Sequence, residues 1–373
     1  MTIIYGLVGL GFLVFFHEMG HFIAARTCGV KVEAFSIGMG PVIFHHKTSE
    51  KKGGTDWRLS LIPFGGYCAM KGEKDYQAAL ELGLKEINGS KDSFYGISPW
   101  KRLIIAFAGP FANFVFGLFA FTIVALVGYT YYSAGTVVSM ADEVYEELNS
   151  PCHEAGMQTG DKILFIDDVE MKDFSDIVSY VSCHPEEDLV FTVERDKIYN
   201  FTVHSSLDKE SGSGKVGIVS DPNSVVKREY GPYEFFSAIK EGTRQTLQLL
   251  SLTFKSVEIL FKGVKVTNAV AGPAKITSML GKTVKAGFSE GFRTGLASTL
   301  QFLALISLSL FITNLLPVPV LDGGIILFSL IEWITHKKLN PKFLYYIQFA
   351  GIAFISILAL LAITSDIMYF IKR

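Results

Sequence analysis

Phe15-Phe16-His17-Glu18-Met19-Gly20-His21-Phe22 places two imidazoles and a carboxylate inside an apolar run that extends from Thr2 to Cys28. On a helix, His17 and His21 lie one turn apart and face the same way, so both can grip one metal ion while Glu18 stands beside it. Zinc hydrolases use this division of labour: neutral nitrogens bind Zn²⁺, and a carboxylate that is not a ligand takes a proton from the attacking water. Ionisable groups in a membrane helix cost about 2.5–3.5 kcal/mol each on insertion scales, so their presence there points to a function.

The rest of the chain supports a membrane setting. Of 373 residues, 49% are hydrophobic. Four windows can span a bilayer: Thr2–Cys28, Leu103–Tyr132, Ala297–Leu316 and Phe343–Ile371. The fold class expected is a polytopic α-helical membrane protein with four transmembrane helices. A fifth window, Thr246–Phe261, is interrupted by Lys255 and Glu258 and reads as amphipathic. The first window has no basic residue before Arg26, which argues against a cleaved signal peptide. A net charge of −2 without a basic stripe gives no reason to expect a nucleic-acid partner. Cys28, Cys68, Cys152 and Cys183 lack metal-ligand spacing, and free thiols are expected, with Cys152 and Cys183 the one pair that could bridge.

Twelve Lys/Arg between Arg26 and Arg102, with Lys337, Lys338 and Lys342 in a later short loop, place those loops in the cytoplasm. The long 133–298 segment then lies outside. After the first window, Val32–Phe44 and Asp56–Tyr67 alternate or run apolar at strand length and are punctuated by Gly and Pro, as in β-ribbons. Two placements stay open: a hairpin dipping to membrane depth beside the site, and a small β-subdomain on the cytoplasmic face. The second window carries Ala108-Gly109-Pro110-Phe111-Ala112-Asn113-Phe114, where Asn113 either bonds a neighbouring helix or holds a substrate backbone.

Outside, Ser150-Pro151-Cys152-His153-Glu154-Ala155-Gly156-Met157-Gln158-Thr159-Gly160-Asp161, followed by a strand, a helix near Phe174–Ser182 and further strands, resembles a circularly permuted PDZ domain. Such domains take an extended peptide at a sheet edge. The expected organisation is a membrane part over 1–132, a PDZ domain over 133–228, amphipathic surface helices over 229–295, and the last two spans over 296–373. The third window breaks at Asn314-Leu315-Leu316-Pro317-Val318-Pro319-Val320-Leu321-Asp322-Gly323-Gly324. Asp322 is thus expected on an irregular segment at membrane depth, where a lone carboxylate is costly unless it is bonded to a metal. His17 lies roughly 24 Å along its helix, a depth comparable to that of Asp322 at the far end of the third window.

His17-Glu18-x-x-His21, Gly109-Pro110-x-x-Asn113, the PDZ-like signature and Asn314-x-x-Pro317-x-Pro319-x-Leu321-Asp322-Gly323 occur in that order, over nearly the whole chain. Together they resemble the site-two protease family of intramembrane zinc metalloproteases. The resemblance implies one Zn²⁺ held by His17, His21 and Asp322, and Glu18 as general base. It also implies a substrate strand held along Gly38, Gly40, Gly65 and Gly66, and substrate contacts from Asn314, Asn113, Pro317 and Pro319. The implied substrates are single-span membrane proteins, such as anti-sigma factors or signal-peptide remnants, already trimmed by another protease. The implied location is a bacterial cytoplasmic membrane, with the site toward the cytoplasm and in contact with the lipid bilayer. One departure is a single PDZ-like module where enterobacterial members carry two. A zinc transporter and a membrane-anchored PDZ scaffold are the rival readings. The first needs no PDZ module, and the second leaves His17, Glu18 and Asp322 without a task.

Overall fold

The computed structural model describes residues 2–49, 53–87, 89–145, 148–208, 212–221, 224–260 and 271–371. Its contacts divide into two units: Met1–Val127 with Tyr233–Leu250 and Ala271–Arg373, and Gly128–Pro232 with Ser251–Val270. The expected amphipathic region continues through residues 261–270, which lie outside the described residues.

The first unit is built on four helices long and apolar enough to cross a membrane: Thr2–Cys28, Pro99–Val127, Phe292–Leu315 and Pro341–Ile371. The first ends where Gly29 adopts a φ of +89°, a left-handed cap that glycine takes without Cβ strain. The second opens on Pro99, whose missing N–H is unneeded in a first turn. It stops at Val127, short of the expected Tyr132, because Gly128 turns left-handed and Tyr129–Ser133 pairs as a strand with Val226–Tyr230. Lipid tails are as apolar as leucine, so these helices associate through close packing at small residues rather than by escape from water. A Cβ on Gly20 would lie 2.2 Å from the Ala108 carbonyl oxygen, which shows how closely the first two helices cross. Leu13, Phe116, Ala120, Leu280, Leu303 and Leu308 fill the core among the first three long helices and the helix Pro273–Ser289.

The β-ribbon forms β1 (Val32–Lys47) and β2 (Asp56–Met70), paired antiparallel. Both bend at glycines, so residues 34–37 of β1 pair with 56–59 on one side and with 66–69 on the other, while 42–47 pair with 56–60. Gly38 makes one bend at a φ of +87°, and a Cβ there would meet the Ser60 and Ile62 carbonyls within 3 Å. Near the bends Val42, Ile43, Phe44, Leu59, Leu61 and Ile62 are each at least 42% exposed. An apolar patch of that kind marks contact with lipid or protein.

The third long helix ends at Leu315. Leu316 turns extended ahead of Pro317, since the residue before proline disfavours the helical region. Asp322 does not sit on an irregular stretch, as expected, but opens a new 14-residue helix, Asp322–Thr335. Leu321 precedes it in extended conformation, and Val320 before that is held at a φ of +91°. For a β-branched residue that conformation is strained by about 1–3 kcal/mol.

In the second unit a four-stranded antiparallel sheet runs in the order Val169–Glu170, Lys162–Ile166, Asp188–Glu194, Ile198–His204. A separate pair joins Val138–Met140 to Ile218–Ser220. With the helix Phe174–Ser182 they enclose a core of Met140, Ile163, Ile166, Ile177, Leu189 and Phe191. The Ser150 hydroxyl caps a short helix by accepting the His153 N–H at 3.3 Å, and Pro151 occupies its first position. Asp161, buried to 1% exposure, accepts two bonds from Arg195 at 2.6 and 2.8 Å and a third from the Gln158 N–H. A groove of about 500 Å³ lies between Ile177, Val178 and Val181 of the helix and the segment Val216–Val219. Cys28, Cys68, Cys152 and Cys183 are all free.

Candidate metal centre

The helical spacing of His17 and His21 brings their ring centroids to 4.8 Å. The broken third helix returns Asp322 between them. Its two carboxylate oxygens lie 3.2 Å from His17 Nε2 and 3.3 Å from His21 Nε2, and the two Nε2 atoms are 3.2 Å apart. Among the described residues this is the one cluster of three or more His, Cys, Asp or Glu close enough to hold a metal. A tetrahedral zinc site with bonds of about 2.0–2.1 Å has ligand-to-ligand edges of about 3.3–3.4 Å, so the donor set and its spacing both fit that ion.

Pro110 lies inside the second helix and has no N–H to offer the Ala106 carbonyl. The neighbouring Ile105 carbonyl accepts from His21 Nδ1 at 2.8 Å. Gly109 faces the same ring: a Cβ there would lie 2.1 Å from His21 Nε2. Asn113, one turn further along, is fully buried and meets His17 Nδ1 at 3.1 Å. The second helix therefore runs its stripe of Ile105, Gly109 and Asn113 along the stripe of His21 and His17. Of the two uses foreseen for Asn113, its side chain makes the contact with a neighbouring helix, and it is not among the residues that line the open cavity.

That cavity has a volume of about 800 Å³ and is lined by His17, Glu18, His21 and Asp322, together with Gly65, Gly66 and Asn314. Cys68 of β2 lines the same cavity as Glu18. Gly66 packs against the first helix so closely that a Cβ would lie 2.6 Å from Val14 Cγ1 and 3.3 Å from Glu18 Cγ. Gly38, Gly40, Pro317 and Pro319 do not line the cavity: the first two shape the bends of the β-ribbon and the prolines shape the turn before Asp322. Glu73, Tyr76 and Gln348 do line it and were not anticipated from sequence. Glu73 lies in a polar stretch that resembles surface linker, and nothing in its spacing relates it to His17.

Peptidase family M50 matches residues 5–358. The chain belongs to that family. It is a metalloprotease, and its four long apolar helices make it a membrane member. A "Putative zinc metalloprotease" of Treponema pallidum (strain Nichols) is 34% identical over 450 residues, covering 99% of each chain. The alignment is longer than this chain, so that relative has segments without a counterpart here. A protein of similar description in Clostridium perfringens is 31% identical over 371 residues, again covering 99% of each. The "Probable protease eep" of Enterococcus faecalis is 28% identical over 444 residues, with 99% of each covered.

Proposed function

We infer that this chain is a zinc-dependent intramembrane endopeptidase that cleaves the membrane segments of single-span proteins. The observation that carries the reading is the meeting of His17, His21 and Asp322 at tetrahedral edge distances, next to Glu18 in a cavity bounded by apolar helices. His17, His21 and Asp322 would hold the ion. Zinc, when bound, supplies Lewis-acid polarisation of the scissile carbonyl and of the attacking water.

The remaining work falls to the chain. Glu18 takes a proton from the water and passes it to the leaving amine. A helical substrate hides its carbonyls in its own hydrogen bonds, so a strand segment of the β-ribbon near Gly65 and Gly66 offers replacement backbone bonds and keeps the substrate extended. The exposed Val42, Ile43, Phe44, Leu59, Leu61 and Ile62 support the placement of the ribbon at membrane depth. Asn314, on the cavity wall, contacts the substrate backbone.

The charge of the loops supports a cytoplasmic-side active site in a bacterial inner membrane. The unit containing Asp161 and the groove beside Phe174–Ser182 is an external PDZ-type module. It screens substrates such as anti-sigma factors or signal-peptide remnants after another protease has removed their outer parts. The test uses purified protein and a tagged single-span substrate. Cleavage that stops with a zinc chelator and returns with zinc supports the reading; cleavage indifferent to the chelator overturns it. Glu18→Gln must abolish cleavage while zinc stays bound.

A further inference from the structure

Two imidazoles facing one ion need the same tautomer. If Nε2 lends its lone pair to a metal, the single N–H of the neutral ring sits on Nδ1 and must find an acceptor. His21 has one, the Ile105 carbonyl at 2.8 Å. His17 Nδ1 instead meets the Asn113 amide nitrogen at 3.1 Å, which would set donor against donor. The Asn113 amide oxygen, meanwhile, is buried without a partner. Rotating the amide by half a turn about Cβ–Cγ exchanges the two atoms, and the nitrogen then replaces an oxygen that had no bond to lose. The backbone of Asn113 is fixed independently, since Ser307 Oγ donates to its carbonyl at 2.9 Å from the third long helix.

We propose that Asn113 presents its amide oxygen to the Nδ1–H of His17, and so acts as a positioning residue that holds the His17 Nε2 lone pair toward the metal. The proposal rests on the metal reading above and deepens it. Asn113 then contributes to metal affinity, not to substrate binding. On this reading one helix face serves both rings: Gly109 leaves room for His21, Ile105 lends His21 a carbonyl, and Asn113 lends His17 an oxygen.

The experiment measures zinc affinity of the full chain in detergent by competition with a chelator, for wild type, Asn113→Leu and Asn113→Asp. Aspartate keeps the shape and offers only oxygens, whereas leucine offers no acceptor. Asn113→Leu is expected to bind zinc about 10–100-fold more weakly. Asn113→Asp is expected to bind at least as tightly as wild type, and neither variant should change KM once the site is saturated with zinc. Wild-type affinity in the leucine variant, or aspartate as weak as leucine, overturns the proposal. Should the leucine variant not fold, the aspartate result decides by itself, because a role for the amide nitrogen requires aspartate to weaken zinc. A wild-type chain that binds no zinc refutes the metal reading instead, so the two failures are distinguishable.

Discussion

Gly109→Ala adds one methyl group at the point where the second helix faces a proposed metal ligand. The new Cβ would lie 2.1 Å from His21 Nε2, 2.5 Å from Cε1 and 2.7 Å from Cδ2. Ordinary carbon contacts begin near 3.5 Å, so the ring must retreat by more than an ångström. The backbone has little room to absorb this, because Gly20 brings the first helix within 2.2 Å of the Ala108 oxygen on the Cβ measure. His21 would also lose its bond to the Ile105 carbonyl. Misplacing a reacting group by about 1 Å costs on the order of 100-fold in rate, and loss of an imidazole's outer bond costs a further 10–100-fold in metal affinity. The helix itself should not suffer, since alanine is favoured over glycine by about 1 kcal/mol in a helix interior. The expected result is zinc affinity reduced about 10–100-fold and cleavage reduced at least about 100-fold, with an unchanged thermal melt of the metal-free protein. The assays are chelator competition and a melt in the same detergent. Tight zinc binding and normal cleavage by this variant would falsify the placement of His21 in the site.

Gly66→Ala drives a methyl group toward Val14, the Ser36 carbonyl and Glu18; turnover should fall while zinc stays bound, as a paired metal assay and cleavage assay would record. Glu332→Gln removes a buried partner of Arg102, both under 10% exposed, and should lower stability by about 3–5 kcal/mol in denaturant titration. Replacing both residues by leucine and methionine should recover most of that loss. Asp142, accepting a hydrogen bond from His153 at 2.7 Å, raises the imidazole pKa above 6.5. A raised folded-state value means that this contribution is fully present below about pH 6.5 and is lost as pH rises through the folded pKa. Asp142→Asn should therefore lower the melting temperature below pH 6.5 and leave it unchanged at pH 9.

The four long helices were legible because a run of apolar residues of spanning length has few alternatives, and the pairing of His17 with His21 follows from helical pitch alone. The end of the second helix was not legible, since Tyr129–Ser133 is apolar enough to extend the span and only Gly128 marks the stop. The structure brings Asp322 beside His17 and His21, but its place at a helix start was hidden by Gly323 and Gly324, which ordinarily disfavour helix. Asn113 had two equal uses in sequence; which one it takes depends on the four-residue register it shares with Ile105, a register with meaning only once the first helix lies alongside. The Ile105 carbonyl is a backbone group, and no side-chain motif announces it.

His21 and Asp322 are separated by about three hundred positions along the chain. At roughly 5–20 residues per second, a ribosome needs about 15–60 s to make that interval. A nascent molecule therefore displays its imidazoles and Glu18 long before the carboxylate of Asp322 arrives, so the three-residue cluster can close only once most of the chain has been made.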